Sequence, residues 1–73
     1  MSRLPVVSGK EAIKALVRSG YYVRGRESSH IHLRHPFRQP LTIPDHKEIA
    51  RGTLRAIIRA AGLTVEEFNR MLK

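Results

Sequence analysis

The chain has no cysteine, no tryptophan, few aromatic residues and no long hydrophobic run. Without cysteine, disulfide staples and thiolate metal sites are excluded, and the composition fits a reducing cytoplasm, the expected location. A membrane span needs about 20 consecutive apolar residues, and the first ten, MSRLPVVSGK, are too polar for a span or a secretory leader. The aromatics are Tyr21, Tyr22, Phe37 and Phe68, too few for a binder that stacks successive bases of a single strand. Tyr21 and Phe68 fall at core phase, which leaves Tyr22 to meet a base. Acidic residues are scarce too: six Asp and Glu stand against fourteen Lys and Arg, for a net charge of +8 with the histidines neutral. That imbalance favours a polyanionic partner, nucleic acid first. A membrane surface fits poorly, because no helix joins a broad apolar face to aromatic anchors. An acidic protein partner fits as well.

What is present organises into one domain over residues 1–73, with no repeat, linker or low-complexity tract. Ser8 and Glu11 make a capping box that opens a helix through about Ser19, ended by Gly20. Ile13, Leu16 and Val17 form its apolar stripe with Ala12 nearby, and Lys10, Lys14 and Arg18 share another face. YYVR (21–24) reads as a strand and GRESS (25–29) as its turn. HIHLRH (30–35) alternates, Ile31 and Leu33 facing one way and His30, His32 and Arg34 the other. HPFR (35–38) is a turn, and PLTIP (40–44) a third strand with Leu41 and Ile43 inward. After a loop at DHKEIARG (45–52), TLRAIIRAAG (53–62) repeats apolar residues at Leu54, Ile57, Ile58 and Ala61, with Gly62 as its C-terminal cap. Thr64 and Glu67 make a second capping box before a short third helix. The order α-β-β-β-α-α predicts an α+β, double-stranded-RNA-binding-domain-like fold. Its antiparallel three-stranded sheet is covered by helices on one face.

Several constellations carry chemistry. Arg51, Arg55 and Arg59 line the second helix, and its N-terminus at Gly52 and Thr53 offers unpaired amides suited to a phosphate. A solvated helix face explains one such stripe equally well. Two stripes with few interspersed acids favour phosphate contact. In SSHIHLRHP (28–36), His30 and His32 share a strand face and could chelate a metal. A third ligand would have to come from His35, His46 or Asp45, and no metal-ligand spacing is present, so neither metal nor cofactor is expected. Glu27, Asp45 and Glu48 lie in predicted turns without pairing, which disfavours carboxylate-pair chemistry, and a serine triad lacks an obvious buried acid. A histidine beside cationic side chains remains. Imidazole can move the proton of a ribose 2′-OH or of a leaving 5′-oxygen, while arginine or lysine stabilises charge on the phosphate. The bland alternative is a titrating surface histidine.

The stretches LPVVSGKEAIKALVRSGY, SSHIHLRHP and LTIPDHKEIARGTLRAIIRAAGLTVEEF, in this order, resemble the HicA family, the toxins of HicA/HicB toxin–antitoxin modules. The resemblance runs from Leu4 to about Phe68 and is most specific at Ser29-His30, Pro44-Asp45-His46 and Gly52-Thr53-Leu54. It implies a double-stranded-RNA-binding-like fold, ribosome-independent cleavage of mRNA and neutralisation by a HicB-type antitoxin. With no metal-ligand set in the sequence the endonuclease is expected to be metal-independent, and DNA to be met only indirectly through the antitoxin. The family's catalytic histidine, in a Gly-Ser-His motif, falls on His30, with Ser29 matching beside it. Ser28 stands where many members have glycine, so Gly25 is expected to take the tight turn instead. His35-Pro36 resembles a structural turn of the family, His32 falls where the family varies, and His46 matches a turn that is structural or RNA-positioning. The expected RNA-binding set is Ser29, Tyr22, Lys10, Lys14, Arg51, Thr53, Arg55 and Arg59. A binding module that holds structured RNA without cutting it is the leading alternative. A protein whose basic surface chiefly docks an acidic antitoxin is a third reading.

Overall fold

The computed structural model describes residues 3–73. Its elements are α1 (Gly9–Arg18), β1 (Tyr22–Glu27), β2 (His30–Arg34), β3 (Leu41–Pro44), α2 (Arg51–Ala60) and α3 (Val65–Met71). Both capping boxes form: the Ser8 hydroxyl accepts from the Glu11 amide and the Glu11 carboxylate from the Ser8 amide, and Thr64 and Glu67 repeat the exchange. Accepting the Thr64 backbone and hydroxyl hydrogen bonds holds the Glu67 carboxyl below its ordinary pKa. Its contribution to the cap is therefore present above the ordinary carboxylate pKa and is lost as pH falls through the lowered one.

The three strands form an antiparallel sheet in the order β1-β2-β3. Ile31, Leu33, Leu41 and Ile43 are buried beneath the helices, with Leu54, Ile57, Ile58 and the fully buried Phe68 in the same cluster. Among the described residues, no helix covers the other face of the sheet. α1 lies against β1, β3 and α3, and α2 against β3 and α3.

Three local expectations are corrected. The first concerns the rotation of α1. Val17 is 46% exposed, whereas Ala12, Ala15 and Leu16 are fully buried. Small side chains let α1 sit close to the sheet, and a Cβ on Gly9 would collide with the Pro44 carbonyl. Second, α2 starts at Arg51 rather than Thr53, with Ala50 at its N-cap and no capping side chain.

The third correction is the hairpin. β1 continues to Glu27, which pairs with His30, so the loop is Ser28-Ser29 alone. Gly25 does not take the tight turn. It pairs with His32 inside the strand, and Ser28 itself adopts the left-handed conformation at φ +58°. A β-bulge at Arg24, between Val23 opposite Leu33 and Gly25 opposite His32, explains the extra length. The added residue shifts the side-chain phase by one. Arg26, opposite Ile31, therefore turns to the helix side, and Glu27, opposite His30, to the open face.

Two substitutions test this packing by urea denaturation. Gly9→Ala should destabilise by about 1–3 kcal/mol, the usual range for overpacking. Ser28→Gly should stabilise by up to about 1 kcal/mol, because glycine carries no left-handed penalty. Equal stability of Gly9→Ala and the parent would contradict the close approach of α1 to Pro44.

Candidate functional site

The hairpin tip, the loop after β3 and the start of α1 are tied together at one end of the sheet. The Asp45 amide donates to the Ser29 carbonyl (2.7 Å), and the Gly9 amide donates to the His46 carbonyl (2.8 Å). The Ile49 amide donates to the Val7 carbonyl (2.9 Å), which brings the approach to α2 alongside the approach to α1. Arg26 adds a side-chain clamp: its Nε donates to the Ser28 carbonyl (3.0 Å) and its Nη2 to Asp45 Oδ2 (2.6 Å). The guanidinium thus holds both the left-handed residue of the loop and the turn that faces it.

His30 stands beside this clamp as the first residue of the central strand, exposed on the open face. Its cross-strand neighbours are Glu27 on β1 and Pro44 on β3. Directly opposite side chains in a sheet lie about 4.5–5.5 Å apart at Cβ, so the Glu27 carboxylate is within reach of the imidazole. Glu27 Oε1 also lies 3.7 Å from His32 Nε2, whose Nδ1 is 3.2 Å from Thr42 Oγ1. His35 is engaged elsewhere. Its Nδ1 accepts from the Phe37 amide (3.0 Å), and its ring packs edge-on against Tyr21 at 4.9 Å. Tyr21 is buried and donates to the Gln39 carbonyl, and desolvation by that burial raises its pKa. Among the described residues, no three His, Asp or Glu side chains gather as a metal site would require.

The predicted basic stripes divide. Lys10 lines a depression with Ser8, Asp45, His46 and Lys47 at the clamped end. Lys14 lies beside Val6 and Leu72, and Arg18 is engaged by the carbonyls of Met71 (2.7 Å) and Lys73. On α2, Arg51, Gly52 and Thr53 make the exposed first turn, whose first helical bond runs from the Leu54 amide to the Ala50 carbonyl. Arg55 and Arg59 follow, lining a groove with Leu63, Thr64 and Val65. Tyr22 is exposed on the open face opposite Arg34, some distance along the sheet from His30.

The structure also brings forward residues that the sequence pattern does not single out. Glu27 falls in a predicted turn, Arg26 carries no predicted role, and Arg24 and Arg34 lie outside the expected RNA-binding set. A glycine within a strand pattern is a sign of a bulge, and Gly25 carries that sign.

A model of the HicA toxins of bacterial toxin–antitoxin systems matches residues 9–63. The chain belongs to the HicA toxin family. The matched region runs from the first residue of α1 past the end of α2, so it includes His30 and the clamp. A solved toxin–antitoxin complex from Streptococcus pneumoniae contains a chain that is 36% identical, with a TM-score of 0.70. The alignment covers 78% of this chain and 98% of that one. Comparison with curated proteins gives no match. In this HicA-family toxin, as in the expected fold, the α-β-β-β-α-α order and the one-sided sheet are present. Among the described residues, no helix is long and apolar enough to cross a membrane.

The clamp makes a measurable prediction. Arg26 and Asp45 side chains are 55% and 19% exposed, so their ion pair contributes on the order of 1 kcal/mol or less. Arg26→Ala should lower global stability by no more than that, yet accelerate hydrogen exchange of the Asp45 amide, seen by NMR. An unchanged Asp45 exchange rate would show that the guanidinium does not hold the turn.

Proposed function

We propose that this HicA-family toxin is a ribosome-independent mRNA interferase, in which His30 transfers a proton during metal-independent cleavage of RNA. The observation that carries this reading is the position of His30. It is an exposed imidazole at the start of the central strand, beside a hydrogen-bonded clamp, in a family-matched region of a strongly basic chain. In the reaction the ribose 2′-oxygen loses its proton and attacks the adjacent phosphorus, and the bond from phosphorus to the 5′-oxygen breaks. The departing oxygen takes up a proton, leaving a 2′,3′-cyclic phosphate. His30 either takes the first proton or supplies the second.

Ser29 and Lys10 lie at the clamped end and Arg51 and Thr53 on the first turn of α2, positions suited to the phosphates near the reacting one. Lys14, Arg55 and Arg59 would extend that contact along the helices, and His46 would position RNA or support the turn. Neutralisation by a HicB-type antitoxin is part of the same proposal. It is supported by the family and by the toxin–antitoxin complex that this chain resembles.

The direct test is His30→Ala. Removing a proton-transfer group typically slows a reaction by about a hundredfold to ten-thousandfold. The variant should fold, bind antitoxin and lose both RNA cleavage and growth arrest. A folded His30→Ala protein that cuts RNA at the parental rate ends the assignment. A parent protein that binds RNA and never cuts it makes the chain a binding module instead.

A second prediction concerns the α2 stripe. Replacing Arg51, Arg55 and Arg59 together with Gln should weaken RNA binding and flatten the dependence of log affinity on log salt. For single strands the slope should fall by about 0.7 for each phosphate that the protein no longer neutralises. Unchanged affinity and slope would remove α2 from the RNA path.

A further inference from the structure

His30 faces the open side of the sheet, whereas α1 and α2 cover the opposite side. Cations on the outer surfaces of the helices cannot by themselves lay a chain across His30. A strand that passes over His30 and continues along β2 meets His32 and then Arg34, about 13 Å away at the usual rise per residue. Arg24, at the bulge in β1, lies at the same place. Arg24, Gly25, His32, Arg34, Pro40 and Thr42 line one shallow depression on this face. Among the described residues the carboxylate contacts are Arg26–Asp45 and the 3.7 Å approach of Glu27 Oε1 to His32 Nε2, so neither Arg24 nor Arg34 has a carboxylate partner there. Glu27, the acid on this face, sits at the His30 end, with its Oε1 3.7 Å from His32 Nε2. Tyr22 is 53% exposed and pairs across the strands with Arg34.

From this arrangement we propose that the open sheet face is a binding track for single-stranded RNA flanking the scissile phosphate, with Arg24 and Arg34 holding phosphates and Tyr22 stacking one base. The proposal rests on the RNA-cleaving reading of His30 and adds to it the path of the RNA over the sheet and two cationic residues. Unpaired bases stack on aromatic rings and guanidinium planes, whereas a duplex presents its backbone and keeps its bases stacked inside. One ring and two separated cations suit a single strand. With one stacking ring, the track recognises the backbone more than the sequence. Unpaired positive charge on this face and its continuity with His30 favour RNA over an acidic polypeptide.

The test uses the full chain carrying His30→Ala, so that RNA is not consumed, and a short fluorescein-labelled single-stranded RNA. Adding Arg24→Gln and Arg34→Gln should weaken binding at least tenfold and lower the salt slope by about 1.4, the value for two phosphates. Adding Arg3→Gln and Arg70→Gln instead removes equal charge elsewhere and should leave the slope unchanged. Tyr22→Ala should weaken binding about fivefold to a hundredfold, the range for one stacked base. Parental affinity and slope in the Arg24→Gln, Arg34→Gln protein overturn the track, and leave the cleavage reading standing if the unsubstituted protein cuts RNA. Tighter binding of a blunt RNA duplex, with the same weakening on substitution, overturns the single-strand assignment. Weakened binding of poly-glutamate with RNA binding intact makes the face a seat for an acidic polypeptide and overturns the proposal. A protein that neither binds nor cuts RNA overturns both readings.

Discussion

Burial of Ile31, Leu33, Leu41 and Ile43 beneath the helices is the constraint on which the rest depends. A strand has a side-chain period of two, so a slip of one residue would carry His30, His32 and Arg34 into the core and expose the isoleucine and leucine. The register is therefore held by the hydrophobic effect acting on one face of the sheet, each such side chain contributing roughly 1.5–3 kcal/mol on full burial. The open face inherits its arrangement from that choice. Its histidines and arginines stand where they do because their neighbours are buried.

The bulge at Arg24 adjusts this rule at one position. It lets β1 keep Val23 opposite Leu33 and Arg26 opposite Ile31 on the helix side, while Glu27 faces His30 across the strands. Without the extra residue, Arg26 would point to the open face and could not reach Asp45. The catalytic proposal and the clamp thus share one structural cause. Arg26 also bonds the carbonyl of Ser28, which sits in the left-handed region without being glycine. That bond helps hold a conformation that costs roughly 1–2 kcal/mol for an L-residue.

The alternation of HIHLRH displays β2 and the sidedness of His30 in the sequence itself, and the two capping boxes mark where α1 and α3 begin. These features are local, set by neighbours a few residues apart. The rotation of α1 is not local. Val17 looks as apolar as Leu16, yet with Gly9 seated against Pro44 it is Ala15 that faces the core instead. The length of β1 is hidden for the same reason: GRESS is rich in turn-forming residues, and its pairing with β2 overrides that preference. With Glu27 placed in a turn, its position opposite His30 is invisible in the sequence, and so is the company of Arg24 with Arg34. The family resemblance supplies what local pattern does not, by distinguishing His30 from His32 on the same face.

The chemistry proposed for His30 makes the substrate its own nucleophile, and the ends of the RNA fragments record that directly. Purified protein should be incubated with RNA in excess chelator and the fragment termini identified by mass spectrometry. The account predicts continued cleavage, with a 2′,3′-cyclic phosphate or a 3′-phosphate on the upstream fragment. Activity lost to the chelator and restored by one divalent ion, with 3′-hydroxyl and 5′-phosphate ends, would contradict it.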